Sequence, residues 1–126
     1  MRTIAICLLA AAVPLLGAEP GLAQPATVTC TGAEPFWSLT IDGDRARLSS
    51  PNPEIANVGP EIAGVRKNVR VAGQTAVHWR GKAKNGAGDV VAWLVLTACT
   101  MPSGEPAPYQ ILLSLPGAGP VAGCCR

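Results

Sequence analysis

The sequence predicts an all-β protein: a small antiparallel barrel or closed sandwich of six to seven strands, braced by disulfides and preceded by an N-terminal signal peptide. Proline and glycine occur 12 and 14 times among the 126 residues and interrupt the chain every few positions, so no long helical period survives. Short runs of alternating apolar and polar residues lie between these breaks. Four cysteines remain once a secretory leader is set aside.

The N-terminal segment has the three parts of a secretory signal peptide. A short basic start precedes an almost entirely apolar run over residues 4–16, and small residues follow this run at two points. We place cleavage after Ala23, with cleavage after Ala18 as the alternative. We therefore expect residues 1–23 to be a signal peptide and residues 24–126 to be one β domain, which is the size of a single domain.

The exported chain is expected in the periplasm, either soluble or peripherally associated with the envelope. A bacterial lipoprotein needs a cysteine directly after the small residues that end the apolar run, whereas Cys7 lies inside the run and Cys30 follows Thr-Val-Thr. A membrane-spanning helix needs about 20 apolar residues. The apolar runs at residues 4–16 and 90–98 are both shorter, so no transmembrane helix is expected in the mature chain.

The cysteines predict two disulfides. Cleavage removes Cys7 and leaves an even number, which in an exported chain is typical of disulfide bonding. The remaining cysteines are Cys30, Cys99, Cys124 and Cys125. Neighbouring residues of an extended strand face opposite sides, so Cys124 and Cys125 are expected to form one bridge each, to Cys30 and to Cys99, in either combination.

The first hairpin has the clearest pattern. Trp37, Leu39 and Ile41 share one face of a strand over residues 36–41. Asp-Gly then supplies turn chemistry, because glycine tolerates a positive φ, and residues 44–48 return. Two prolines and two glycines predict a loop over the next segment, residues 49–64.

The rest of the chain predicts a second hairpin and a closing meander. Val69 and Val71 mark a short strand, a Gly-Gln turn follows, and residues 75–80 return, before a polar loop over residues 81–88. The run over residues 90–98 is nearly all apolar, which predicts a strand that is covered on both faces. The last strands are expected over residues 109–115 and 121–125. The order of the strands is not readable from the sequence.

Two motifs together resemble those of a known family. The Glu-Pro-Phe-Trp element at residues 34–37, together with Cys99 and the Gly-Cys-Cys ending at residues 123–125, resembles a family of uncharacterised bacterial envelope proteins. The resemblance covers nearly all of residues 30–125 and implies location and fold better than activity. That family is loosely similar to small β-barrel envelope modules, among them inhibitors of c-type lysozyme and a domain of a heat-inducible outer-membrane lipoprotein. Residues 100–105 depart from the acidic loop of the family, so no role is carried over to them.

The Glu-Pro-Phe-Trp element has two interpretations. In the structural interpretation, which we favour, Trp37 is a core residue and Glu34 accepts backbone donors where the strand begins. In the functional interpretation, Glu34 and Phe36 form part of a ligand-facing rim.

A basic stretch is the second candidate binding site. Six basic residues fall between Glu61 and Asp89 with no acidic residue among them: Arg66, Lys67, Arg70, Arg80, Lys82 and Lys84. If residues 66–84 form a hairpin, these side chains are expected on one positive face that meets an envelope protein or an anionic glycan or lipid surface. An ordinary solvated hairpin is the other interpretation, and the one that we favour.

The sequence favours a non-enzymatic envelope binding or accessory module, without a cofactor. Three alternatives stay open: a lysozyme inhibitor with a loop tip at residues 80–82 or 103–105, a carrier of a small lipid-like ligand, and a thiol-redox protein. The sequence has no C-x-x-C motif, and its single histidine, His78, is far from the cysteines, so a metal or redox site at Cys124-Cys125 is not favoured. The net charge of +2 and the lack of DNA-binding motifs argue against nucleic acid as a partner.

Overall fold

Eight antiparallel strands close into a barrel in the computed structural model, which describes residues 27–126. The strands are β1 (Thr27–Gly32), β2 (Trp37–Asp42), β3 (Arg45–Ser49), β4 (Glu61–Val71), β5 (Gln74–Ala83), β6 (Asp89–Thr100), β7 (Pro106–Leu115) and β8 (Gly119–Cys125), and a short helix, α1 (Pro53–Ala56), lies between β3 and β4. Each strand pairs with the next one along the chain, and β1 pairs with β8. The predicted signal peptide over residues 1–23 lies outside the described residues.

The structure confirms the predicted all-β class and the disulfide bracing, and adds one strand to the expected six to seven. The additional strand is β1, whose sequence Thr-Val-Thr-Cys-Thr-Gly alternates strictly. Val28 and Cys30 point into the barrel and are buried. Only two apolar side chains mark this strand, so its alternation is a weak signal in the sequence, although the β-branched threonines favour a strand.

Two predicted loops are shorter than expected. Residues 49–64 contain α1, whose first turn is capped by Asn52 Oδ1 accepting from Glu54 N at 2.9 Å, and also the first residues of β4. β5 continues to Ala83, which shortens the loop expected at residues 81–88. In both cases a glycine that predicts a break, Gly64 or Gly81, lies inside the strand.

Those strand glycines make room for a buried tryptophan. Trp79 points into the barrel, and its ring lies over Gly64 and Gly81 on the paired strands β4 and β5. A Cβ at Gly64 would lie 2.5 Å from Trp79 Cζ2, and one at Gly81 would lie 2.6 Å from Trp79 Cη2. The indole Nε1 donates to the carbonyl oxygen of Gly43 at 3.0 Å, so its polar group is satisfied within the core.

A second buried tryptophan occupies a similar space at the closure of the barrel. Trp37 lies over Gly32 of β1 and Gly123 of β8, where added Cβ atoms would lie 2.6 Å from its Cε2 and 2.9 Å from its Cζ2. The core placement of Trp37 is confirmed. The tryptophan of one sequence motif and the glycine of the other therefore pack against each other.

The disulfides hold the same closure. Cys30 of β1 bonds to Cys125 of β8 in the core, with 4.0 Å between the Cα atoms. Cys99 of β6 bonds to Cys124 of β8 on the outside of the barrel, with a Cα–Cα distance of 5.6 Å. The expectation that Cys124 and Cys125 each form one bridge is confirmed. Of the two possible combinations, the structure has Cys30 with Cys125 and Cys99 with Cys124.

The β4–β5 hairpin extends past the end of β3. β3 pairs with β4 only at residues 61–63, and Gly64 N donates to Asp44 O just beyond them. β5, by contrast, pairs with β4 from Ile62 to Val71. Beyond Gly64, no strand of the described chain pairs with the other side of β4, so residues 65–71 form an edge of the sheet.

Candidate functional site

The outer face of β5, β6 and β7 carries an uncovered group of apolar and aromatic side chains. In β6 the side chains of Val90, Ala92 and Leu94 fill the barrel, and those between them point outward. The strand register places these outward side chains beside others of the same character on β5 and β7. We call this group the apolar wall; it consists of His78, Val91, Trp93, Val95 and Leu112.

Trp93 lies at the centre of the apolar wall. It is paired across the sheet with His78 on β5 and with Leu112 on β7. The rings of His78 and Trp93 lie 4.3 Å apart between centroids, at an interplanar angle of 43°. Trp93 is 39% exposed and Leu112 is 51% exposed, so two large side chains meet solvent next to each other.

The prediction that the apolar strand over residues 90–98 is covered on both faces is wrong for the described chain. Val90, Ala92 and Leu94 on its inner face are buried, but Trp93 on its outer face is exposed. Leu96, which continues the inner face beyond Leu94, is also exposed. A run of apolar residues on both faces indicates that both faces favour burial, but it does not indicate whether the same domain provides the cover. For this protein, nothing in the described residues covers the outer face of β6.

The apolar wall is bordered by positive charge. Lys67 on β4 lies directly opposite His78 on β5. Arg80 also points outward, two residues from His78, and its guanidinium donates to Asp89 Oδ2 at 3.0 Å. Asp89 is paired with Arg80, so the positive charge of Lys67 remains at this border.

The predicted basic residues do lie on or beside one hairpin, but they do not share one face. Lys84 follows directly after β5. Arg66 and Arg70 lie opposite Trp79 and Thr75, which are in the register of the inner face, whereas Lys67, Arg80 and Lys82 alternate with them and point outward. The expectation of a single positive face was wrong because the spacing of these residues mixes odd and even positions of the strands.

Arg66, Lys67 and Arg70 have a structural interpretation of their own. All three lie on the part of β4 that forms an edge of the sheet. Charged residues on an edge strand hinder pairing with the edge of another molecule. The Arg70 guanidinium also donates to Gly73 O at 3.0 Å and braces the tip of the hairpin. Their assignment to a binding site stays a prediction.

A second basic surface was missed. Arg45 and Arg47 point outward on β3. The strand register brings them close to Lys82 and Lys84, on the same outer face of the barrel. A surface cleft of about 290 Å³ lies here, lined by Thr27, Thr40, Asp42, Arg45, Ala46, Arg47, Glu61, Ile62 and Lys84. The alternation of β3 was visible in the sequence, but the pairing of β3 with β4 was not.

The charges in this cleft largely satisfy one another. Glu61 lies 3.8 Å from Arg47 and 3.5 Å from Lys84, bridging both. Thr27 Oγ1 donates to Asp42 Oδ1 at 3.2 Å. These exposed ion pairs stabilise the fold by at most about 1 kcal/mol each, and they reduce the positive potential that an anionic ligand would meet. The cleft is therefore a weaker candidate than the apolar wall.

Glu34 and Phe36 lie elsewhere, in the loop between β1 and β2. Glu34 is exposed and has a φ of 62°, which is unusual for a residue with a side chain. Phe36 is 50% exposed, and Ser50 Oγ donates to its carbonyl oxygen. A cleft of about 270 Å³ separates residues 33–35 from the first part of β8, with Trp37 in its lining. The structure does not bring Glu34 and Phe36 together with the basic residues.

The loop tips expected for a lysozyme inhibitor are placed differently from the prediction. Residues 80–82 lie within β5, and Gly81 is buried, so this segment is not a loop. Residues 103–105 do lie in the turn between β6 and β7. In that turn Glu105 forms an ion pair with Arg126 at the end of the chain.

Residues 27–126 contain neither an unbonded cysteine nor a cluster of metal ligands. All four described cysteines are in disulfides. No group of three or more His, Cys, Asp or Glu residues there is arranged to hold a metal ion. None of the helices described is long and apolar enough to cross a membrane.

No protein family, no curated protein and no solved structure matches this chain. The resemblance of the Glu-Pro-Phe-Trp and Gly-Cys-Cys elements to envelope proteins therefore stays a prediction.

Proposed function

We propose that this chain is a non-enzymatic binding module of the bacterial cell envelope, exported to the periplasm, and that it contacts its partner through the apolar wall. The observation that carries the proposal is the pair formed by Trp93 and Leu112. They are neighbours on adjacent strands, they are 39% and 51% exposed, and they project from a sheet whose other face is the core.

Energetics support binding at this surface. Burying a large apolar side chain is favourable by about 1.5–3 kcal/mol, and clustered exposed apolar residues are typical of interaction sites. Tryptophan is also among the residues most enriched at the energetic centres of interfaces. His78 packs on one side of Trp93 and holds its ring at the surface.

The construction of the barrel supports a preformed surface. Trp93 and Leu112 sit on regular paired strands rather than on a loop, and the bond between Cys99 and Cys124 ties β6 to β8 nearby. A surface fixed in this way loses little conformational entropy on binding, which favours affinity.

The alternatives have less support. The barrel interior is filled by side chains such as Trp37, Trp79 and Leu39, which does not favour a carrier with its ligand inside. A thiol-redox role would need a disulfide that a partner thiol can reach, and Cys30, Cys124 and Cys125 are buried. A lysozyme inhibitor would have to act through residues 103–105 alone, where Glu105 is already paired with Arg126.

Co-sedimentation with a washed bacterial envelope fraction tests the proposal. The purified chain is compared with a Leu112→Asp variant and a Phe36→Asp variant, which place the same charge at positions that are 51% and 50% exposed. We expect the wild type and Phe36→Asp to sediment with the envelope and Leu112→Asp to remain in the supernatant. Equal behaviour of the two variants, or no sedimentation of the wild type, would contradict the proposal.

A further inference from the structure

We infer that the surface contacted by the apolar wall is an anionic lipid bilayer. This inference rests on the proposed function and specifies its partner. The apolar wall, the border of Lys67 and the adjoining β4–β5 hairpin together match what an anionic bilayer offers: an apolar interior below a negatively charged layer of headgroups.

The apolar side chains fit the interfacial region of a bilayer. Trp93 combines a large apolar ring with an N–H group, and tryptophan is enriched where membranes meet water. Leu112 beside it has no polar atom that needs water. Since both project from one sheet face, they can enter a flat surface together without a change in the backbone.

The charges next to the wall complement anionic headgroups. Lys67 lies in the same cross-strand row as His78, Trp93 and Leu112. Arg66 and Arg70 lie in the register of the other face, so Lys67 is the basic residue that β4 presents beside the wall. The sequence has no acidic residue between Glu61 and Asp89. The carboxylate of Asp89, two residues before Val91 on β6, is paired with Arg80. The border of the wall is therefore positive.

The hairpin tip adds a second apolar contact beside these charges. Val71 is exposed at the end of β4 and lies in the same register as Lys67, on the outer face. Arg70 lies next to Val71 and is braced against Gly73. An apolar tip flanked by basic residues repeats, on a smaller scale, the combination found at the wall.

A second copy of the chain is a poorer partner for this surface. A symmetric dimer formed through the wall would place the same patch of each copy face to face. Depending on the direction of the two-fold axis, Lys67 would face either its own counterpart or apolar side chains of the other copy. Both arrangements are unfavourable, because like charges repel and a charge placed against apolar groups loses its hydration. An anionic surface has the opposite effect, because it attracts Lys67.

The tryptophans provide a direct readout. The chain has three, of which Trp37 and Trp79 are buried and Trp93 is exposed. Any change in emission on adding vesicles that do not unfold the protein therefore reports on Trp93. We would record emission spectra with vesicles of phosphatidylcholine alone and of phosphatidylcholine mixed with phosphatidylglycerol, at low and high salt.

We expect a blue shift with the phosphatidylglycerol vesicles that weakens in high salt, and little shift with phosphatidylcholine alone. Leu112→Asp should reduce partitioning about tenfold or more, since it removes an inserted apolar group. Lys67→Gln should reduce it about fivefold, because a basic residue near an anionic surface contributes about a fivefold factor in affinity. Phe36→Asp, the matched control, should partition like the wild type.

Three results would overturn the lipid inference: no shift with phosphatidylglycerol, an equal loss in the Phe36→Asp control, or a shift that appears without lipid as protein concentration rises, which indicates self-association. If the chain does not bind the vesicles but still sediments with the envelope fraction in a manner that depends on Leu112, the lipid inference is wrong and the proposed binding module stands, with a protein or glycan as its partner. If the chain binds neither the vesicles nor the envelope fraction, both proposals are wrong.

Discussion

Trp37 lies so close to Gly123 that a Cβ added at Gly123 would lie 2.9 Å from the indole Cζ2. The same Cβ would collide with the carbonyl oxygen of Thr31 on the neighbouring strand. The tryptophan near the start of the barrel and the glycine near its end thus form one packing unit at the β1–β8 closure. The unit continues into the bond between Cys30 and Cys125. The two motifs of the sequence are therefore parts of one structural device.

Replacing Trp37 by Ala should destabilise the barrel strongly. The ring is fully buried, so its removal leaves a cavity at the closure, and we expect a loss of about 3–5 kcal/mol in the free energy of unfolding. Urea unfolding followed by circular dichroism measures it. Phe36→Ala next in the chain changes a half-exposed ring and should cost less than 1 kcal/mol or so. An unchanged midpoint for Trp37→Ala would contradict the core assignment.

The two disulfides should contribute unequally. Cys30–Cys125 closes a loop with a sequence separation of 95, and Cys99–Cys124 one with a separation of 25. In the chain-entropy description their contributions are about 4.7 and about 3.5 kcal/mol. Replacing each pair by alanines and comparing guanidinium unfolding should show the larger loss for Cys30 and Cys125, whose bond is also buried. A larger loss for the outer pair would contradict this ranking.

Basic residues on the edge of β4 should keep the chain from associating through its strands. Lys67→Thr combined with Arg70→Thr removes charge from the sheet edge and raises β-propensity, so we expect dimers or larger species by light scattering. The matched control is Arg45→Thr with Arg47→Thr on β3, which is paired on both sides. Monomeric behaviour of both double variants would show that the edge needs no protection.

Only one tryptophan should be accessible to a collisional quencher. Trp93 is 39% exposed, whereas Trp37 and Trp79 are buried. Acrylamide should therefore quench one component of the emission in the wild type, and Trp93→Phe should remove that component and leave a nearly unquenched remainder. Strong quenching in Trp93→Phe would mean that a core tryptophan reaches solvent, which would be inconsistent with the packed barrel interior.

Most of the fold was predictable because the strands of a barrel carry a simple signal. The alternation of Trp37, Leu39 and Ile41, and the outward and inward placement of Cys124 and Cys125, follow from the two-residue period of a strand. The boundaries were less predictable, because Gly64 and Gly81 are strand residues that accommodate the ring of Trp79. A glycine has this role only where a large side chain from elsewhere in the fold lies over it, and the local sequence does not show which side chain that is.

The candidate site was not predictable in the same way. Trp93 and Leu112 become neighbours only through the register between β6 and β7, which no local pattern specifies. The basic residues were visible, but their division between two faces depends on where each strand begins. A sequence pattern indicates that a residue favours burial or charge, whereas the partner across the sheet is set by the whole barrel.

Photo-cross-linking in intact cells tests the central claim most directly. The exported chain would carry a benzophenone amino acid in place of Leu112, on the apolar wall, or in place of Phe36, a position of nearly equal exposure in the β1–β2 loop. We predict that irradiation gives a discrete protein or lipid adduct from position 112 and none from position 36. The same adducts from both positions, or none from position 112 in correctly folded protein, would show that the apolar wall is not the contact surface.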